Sequence, residues 1–300
     1  MKKVIVFIII SVNITNSFSQ HVIDGGDWSD EDIKFDEALS NYKGSRRAFI
    51  DIFSNDLLMI LLGEKEMLNE QVDIFSLSQL NNQYVRLLRN MIFAKYGYKF
   101  NSADLNTFFS RYDWYKPKVN NVESKLTETD KFNIQTMRAF ENRNETLPDI
   151  HWGENKVGIW QDIGIEASGW SDRFVIHSNN KLEYYYSQMR NLDIITGMSG
   201  TYIIKGNVLI YSVSEIYYSM NDIEIEYTGG FGYQFKKSEL NTIKLEKPLV
   251  FKFPISSITV KEFDNEFKFE PGEPEKIKRE TITIGNKDFY KMSDDVNDKF

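Results

Sequence analysis

The sequence predicts an α+β protein: a small N-terminal helical domain followed by an antiparallel β sandwich or barrel. Apolar residues recur at three- and four-residue steps between residues 78 and 143, the period of a helix packed on one face. From residue 156 onward the period changes to short alternating runs separated by turn residues, the pattern of antiparallel strands. The 300 residues are 41% hydrophobic and 14% aromatic, enough to bury sizeable cores. With no cysteine, those cores hold the chain without disulfides, which excludes a small stapled scaffold.

The N-terminus combines Lys2 and Lys3, an apolar run from Val4 to Val12 broken by Ser11, and a polar exit through Ser17 and Ser19. This layout predicts a secretory signal peptide over residues 1–19, cleaved before Gln20. The apolar run is shorter than the roughly 20 residues a bilayer span needs. The sequence therefore predicts an exported protein, periplasmic or extracellular, with no transmembrane segment in the mature chain. Residues 20–44, with Gly25, Gly26, Asp27, Asp30, Glu31 and Asp32, read as an acidic flexible arm. Their carboxylates lack the spacing of the twelve-residue calcium loop.

Residues 45–143 form the predicted helical domain. Phe49, Ile52, Phe53, Leu57, Ile60 and Leu61 give a first helix that Gly63 can end. The clearest helix covers 78–97, with Ser78 as N-cap and Leu80, Tyr84, Leu87, Leu88, Met91 and Ile92 on one face. Gly97 occupies the left-handed position after its end, and Tyr98 and Phe100 fold back past it. A second helix starts at Ser102, with Leu105, Phe108, Phe109 and Tyr112 on a stripe. A third begins at Thr127, paired with Asp130 in a capping box and carrying Ile134, Met137 and Phe140.

Between about Ser76 and Arg143 this stretch resembles the YARHG domain, a module of exported bacterial proteins named for its Tyr-Ala-Arg-His-Gly run. Here the run is Phe93-Ala94-Lys95-Tyr96-Gly97. The flanks carry more of the resemblance: Leu88-Arg89-Asn90 before it, Tyr98 and Phe100 after it, then Trp114-Tyr115 with Pro117, then Asn133-Ile134. The resemblance implies an exported location and no activity. Phe93, Lys95 and Tyr96 replace the name-giving Tyr, Arg and His, so proton transfer by that motif has no imidazole to work with. The motif reads mainly as a helix end, with a binding surface around Arg89, Trp114 and Tyr115 as the alternative.

Residues 144–155 read as a linker, and residues 156–300 as the antiparallel β domain. Strands are predicted at 157–162, 172–178, 182–187, 201–204, 208–213, 223–227, 250–253, 258–263 and 281–284. Turn signals lie at Ser178-Asn179-Asn180, Lys205-Gly206-Asn207 and Thr228-Gly229-Gly230. Gly158-Ile159-Trp160 and Gly200-Thr201-Tyr202 weakly resemble lipocalin-like barrels. The charged run from Glu262 to Glu270 reads as a solvated edge strand or loop.

Chemistry is sparse in this sequence. His21, His151 and His177 are not spaced as metal ligands, so no metal or other cofactor is predicted. Gly197-Met198-Ser199-Gly200 lacks the spacing of a nucleophile elbow. Glu224 and Glu226 share a strand face and read as solvated rather than as a hydrolytic pair. Tyr184, Tyr185, Tyr186, Tyr217 and Tyr218 suit strands, yet alternation in the three-residue Tyr run turns at least one ring outward. The net charge of −8 disfavours nucleic acid, and no dense Lys/Arg run offsets it. The leading expectation is a non-catalytic envelope or extracellular protein binding a cell-surface polymer or a protein partner through Arg89, Trp114, Tyr115 and Tyr185. The alternatives are a β-barrel carrier of a small apolar ligand and a hydrolase of envelope glycans.

Overall fold

The computed structural model describes residues 57–63, 68–164, 171–187, 195–218, 225–227, 233–235, 241–264 and 276–298. The signal peptide, the acidic arm, the apolar steps of 45–56, and the turn at Thr228-Gly229-Gly230 lie outside the described residues, as does Glu224.

Residues 57–62 are helical and stop at Gly63, whose φ is 78°. Four helices follow: α1 (Ile74–Ser78), α2 (Asn82–Lys95), α3 (Ala103–Phe109) and α4 (Glu128–Glu141). The helix expected from Ser78 begins later, at Asn82, and Ser78 ends a separate short helix upstream. Asp73 caps α1 by accepting from the Ser76 amide at 2.8 Å. Asn81 caps α2 by accepting from the Tyr84 amide at 3.0 Å. Ser78 instead closes α1, its hydroxyl donating to the Phe75 carbonyl at 2.7 Å. Two side-chain caps this close together end one helix before the next begins. The capping box of α4 forms as predicted, with Thr127 and Asp130 each accepting from the other's amide.

The strands are β1 (Gly158–Gln161), β2 (Arg173–Ile176), β3 (Lys181–Tyr185), β4 (Ile195–Lys205), β5 (Val208–Tyr218), β6 (Ile225–Tyr227), β7 (Tyr233–Phe235), β8 (Asn241–Pro254), β9 (Thr259–Asp264), β10 (Lys276–Ile284) and β11 (Lys287–Ser293). Among the described residues, nine form one antiparallel sheet in the order β8-β5-β4-β3-β2-β1-β11-β10-β9, and β6 pairs with β7 separately. Strands β7 and β11 went unpredicted, and β11 is the one that joins the large sheet. Its signal is the Gly285-Asn286 turn, in which both residues have positive φ, as a tight hairpin of primed type requires.

The barrel expectation is corrected here, because the sheet does not close. It curls far enough for Ile255, just past β8, to bridge Ile284 at the end of β10, but β8 and β9 remain its edges. Helices do the work that closure would have done. Phe75 of α1 is fully buried against the inner face, with its ring 4.6 Å from Tyr184 and 5.1 Å from both Phe251 and Phe253. The β8 edge is covered as well: Gln79 donates to the Val250 carbonyl at 3.0 Å and Arg143 to the Lys252 carbonyl at 2.7 Å. Helices and sheet thus share one apolar core. The segment after α4 lies against the β4–β5 turn, where the Gly206 amide donates to Asp149 at 2.7 Å and the Ile150 amide to the Gly206 carbonyl at 2.8 Å. Trp152 then buries its ring and donates to the Ser256 carbonyl at 2.8 Å.

Candidate binding surfaces

The end of α2 is built by its motif. The Gly97 amide donates to Ala94 at 2.8 Å and the Tyr98 amide to Phe93 at 3.2 Å, with Gly97 at φ 76°. This is the paired hydrogen bonding of a Schellman cap, completed by the Phe93–Tyr98 ring contact at 6.1 Å. Two of the three departures from the family run, Lys95 and Tyr96, converge on one buried acid. Tyr96 donates its hydroxyl to Asp130 at 2.6 Å, and the Lys95 ammonium lies 3.7 Å from the same carboxylate. Burial works to raise the Asp130 pKa, but the hydrogen bonds from Tyr96 and Thr127 and the charge of Lys95 outweigh it and hold the carboxyl below its ordinary value. Burial, then Asp130, pushes the Tyr96 hydroxyl up to about 12.

The four residues expected to bind do not converge. Arg89 grips Glu141 of α4 through two hydrogen bonds, at 2.5 and 3.0 Å, with both side chains mostly buried. Tyr115 is buried and donates to the Tyr98 carbonyl at 2.7 Å, supporting the loop from below. Trp114 is 37% exposed and stacks on Tyr112 at 5.1 Å. Tyr185 lies on the far face of the sheet.

Around Trp114 the chain is held firmly. Residues 116–119 run alongside 97–99: the Lys118 amide donates to Gly97 at 2.8 Å and the Lys99 amide to Val119 at 2.8 Å. This pairing brings the backbones of exposed Lys99, Lys116 and Lys118 together on two short segments, the second of which follows Trp114 closely, with exposed Arg111 resting on the Phe108 ring at 4.5 Å. The sequence lacks a dense basic run, so this cluster exists only in the fold.

On the outer face of the sheet, Arg173, Tyr185, Gly197 and Tyr217 form one cross-strand row. Gly197 leaves room for Tyr185 and Tyr217 to stack at 5.7 Å, and Arg173 lies 5.0 Å from the Tyr185 ring. In the next row Glu183 accepts from Lys181 at 2.7 Å and from Tyr217 at 3.2 Å, and pairs with His177 at 2.9 Å. Burial acts to raise the Glu183 pKa, but Lys181 and then His177 bring it below its ordinary value. Tyr185 is thus flanked by a guanidinium and a ring, and it offers a sugar less open surface than Trp114 does.

One carboxylate pair emerges that sequence reasoning missed. Asp162 follows β1 and Asp172 precedes β2, and the antiparallel register sets them opposite each other. The Lys287 ammonium pairs with both. Asp172 also accepts from the Tyr184 hydroxyl at 2.8 Å and the Ser187 amide at 2.8 Å. Burial raises the Asp162 pKa, partly offset by Lys287. Ser199 stands in mid-strand β4 and His151 is exposed, so neither joins these groups. Among the described residues no cluster of three or more His, Cys, Asp or Glu side chains forms a metal site, and no helix is long and apolar enough to cross a membrane.

No curated protein and no solved structure matches the chain. A family match does exist, and it begins upstream of the stretch read from the sequence, taking in α1 and Phe75. Its members are extracellular and periplasmic domains of unclear function. Residues 60–142, the segment that carries the capped α2 end, the Asp130 junction and the Trp114 loop, match the family model of the YARHG domain.

Proposed function

We propose that the protein is a non-catalytic binding protein of the cell envelope or extracellular space, holding a surface polymer against Trp114. The observation that carries this reading is the exposed Trp114 ring on a loop pinned by backbone hydrogen bonds. A rigid aromatic platform binds ring-shaped ligands at low entropic cost, because little has to be ordered on binding. The carrier alternative is disfavoured because Phe75 fills the inner face that an apolar ligand would need. The hydrolase alternative draws on Asp162 and Asp172, but Lys287 engages both, and Asp172 already accepts from Tyr184 and Ser187.

The test is retention of purified residues 20–300 on isolated cell-wall material, with mass spectrometry of the supernatant. Retention without new soluble fragments, reduced about tenfold or more by Trp114→Ala, is the expected result. New soluble fragments that disappear in Asp162→Asn would establish the hydrolase instead.

A further inference from the structure

We infer that the polymer held at Trp114 is an acidic polysaccharide, recognised through its carboxylate groups by Lys99, Lys116 and Lys118; this rests on the polymer-binding reading above. Several other cations of the helical domain have acidic partners: Arg86 holds Asp104 at 2.6 Å, Arg89 holds Glu141 at 2.5 Å, and Lys131 holds Glu128 at 2.7 Å, whereas Lys125 and Arg138 make no ion pair among the described residues. Among the described residues Lys99, Lys116, Lys118 and Arg111 make no ion pair, although all four are exposed. Asp113 is the acid inside the cluster, beside Trp114 and unable to balance the cations around it. An unpaired basic cluster on a chain of net charge −8 concentrates the field that attracts an anion at one place, while the rest of the surface repels it. The backbone pairing of 116–119 with 97–99 holds the lysine backbones together on two segments, the second of which follows the stacked Trp114 and Tyr112 rings in the chain. Alternating charge and ring contact suits a chain in which every sugar ring can carry a carboxylate.

The test compares two polymers with the same β-glucan backbone, carboxymethylcellulose and hydroxyethylcellulose, by affinity electrophoresis of residues 20–300. Retardation by the carboxylated polymer is expected, weakening on the order of tenfold or more between about 50 and 200 mM salt as counterion release predicts for three or four ionic contacts. The triple change Lys99→Gln, Lys116→Gln, Lys118→Gln should abolish the retardation with an unchanged thermal midpoint. Trp114→Ala should weaken it while leaving the salt slope intact. Equal, salt-insensitive retardation by both polymers would overturn the acidic assignment and leave polymer binding standing. No retardation by either, with no retention on wall material, would overturn both. Equally tight binding of a single-stranded oligonucleotide, indifferent to Trp114→Ala, would make the surface a general polyanion site and overturn the polysaccharide assignment.

Discussion

Asp130 is the residue on which the family motif converges, and its contribution has a definite pH dependence. Its folded pKa is held below the ordinary carboxylate value, so its stabilisation is fully present above about pH 4 and is lost as pH falls through the folded pKa. Asp130→Asn should lower stability by about 1–3 kcal/mol at pH 7, through the weakened cap and the lost charge-assisted bond from Tyr96. The gap between the two proteins should narrow as pH falls below about 4; thermal unfolding at pH 7 and through the acid range measures it, and a pH-independent gap would mean that packing rather than charge carries the effect. Gly97 is constrained twice over. Its φ is 76°, and a Cβ there would stand 2.8 Å from the Lys116 carbonyl. Gly97→Ala should therefore cost about 1–2 kcal/mol or more, since left-handed strain and a backbone clash add. It should also disturb the pairing that gathers Lys116 and Lys118. The helix-ending role of Gly97 was legible in sequence, because a glycine after an amphipathic run has few other uses. The convergence on Asp130 was not, because it joins residues 34 apart in the chain.

At the level of elements, the packing of α2 on α4 and the sealing of the β8 edge depend on arginines. Arg89 and Glu141 form a mostly buried two-point pair between the helices, so a double-mutant cycle of Arg89→Ala and Glu141→Ala should return a coupling of about 1–3 kcal/mol. Neither change should alter polymer retention, because neither side chain presents a free face. Arg143 donates to Lys252 at 2.7 Å and to Leu80 at 3.1 Å, tying the sheet edge to the start of α2. Arg143→Ala should cost about 2 kcal/mol and speed hydrogen exchange in β8 selectively; unchanged exchange there would show that the edge does not need this cover. The strand alternation in the sequence located β1, β2 and β3 closely. It truncated β4, β5 and β8, whose pairings carry bulges, and β10, whose mixed burial interrupts the period.

For the whole molecule, the shared core sets the unfolding behaviour. Phe75 belongs to the helical domain by sequence but is buried by β3 and β8. Phe75→Ala should cost about 3–5 kcal/mol. Helices and sheet should melt together in one calorimetric transition, and two resolved transitions would mean that the contact between them is energetically minor. Covering the sheet with α1 also explains why an incompletely closed sheet can be stable: its apolar inner face has a partner, and one exposed edge is capped.

The sequence by itself determined the α+β class, the order of helices before strands, the caps at Gly97 and Thr127, and the YARHG resemblance. These depend on local period and on residues a few positions apart, where the chain's own geometry leaves few choices. Only the tertiary structure decided that the sheet stays open, that Phe75 fills it, that Arg89 and Tyr115 serve packing while Trp114 faces solvent, and that Lys99, Lys116 and Lys118 share a surface. Each of these depends on contacts between distant segments, which packing selects and no local pattern encodes.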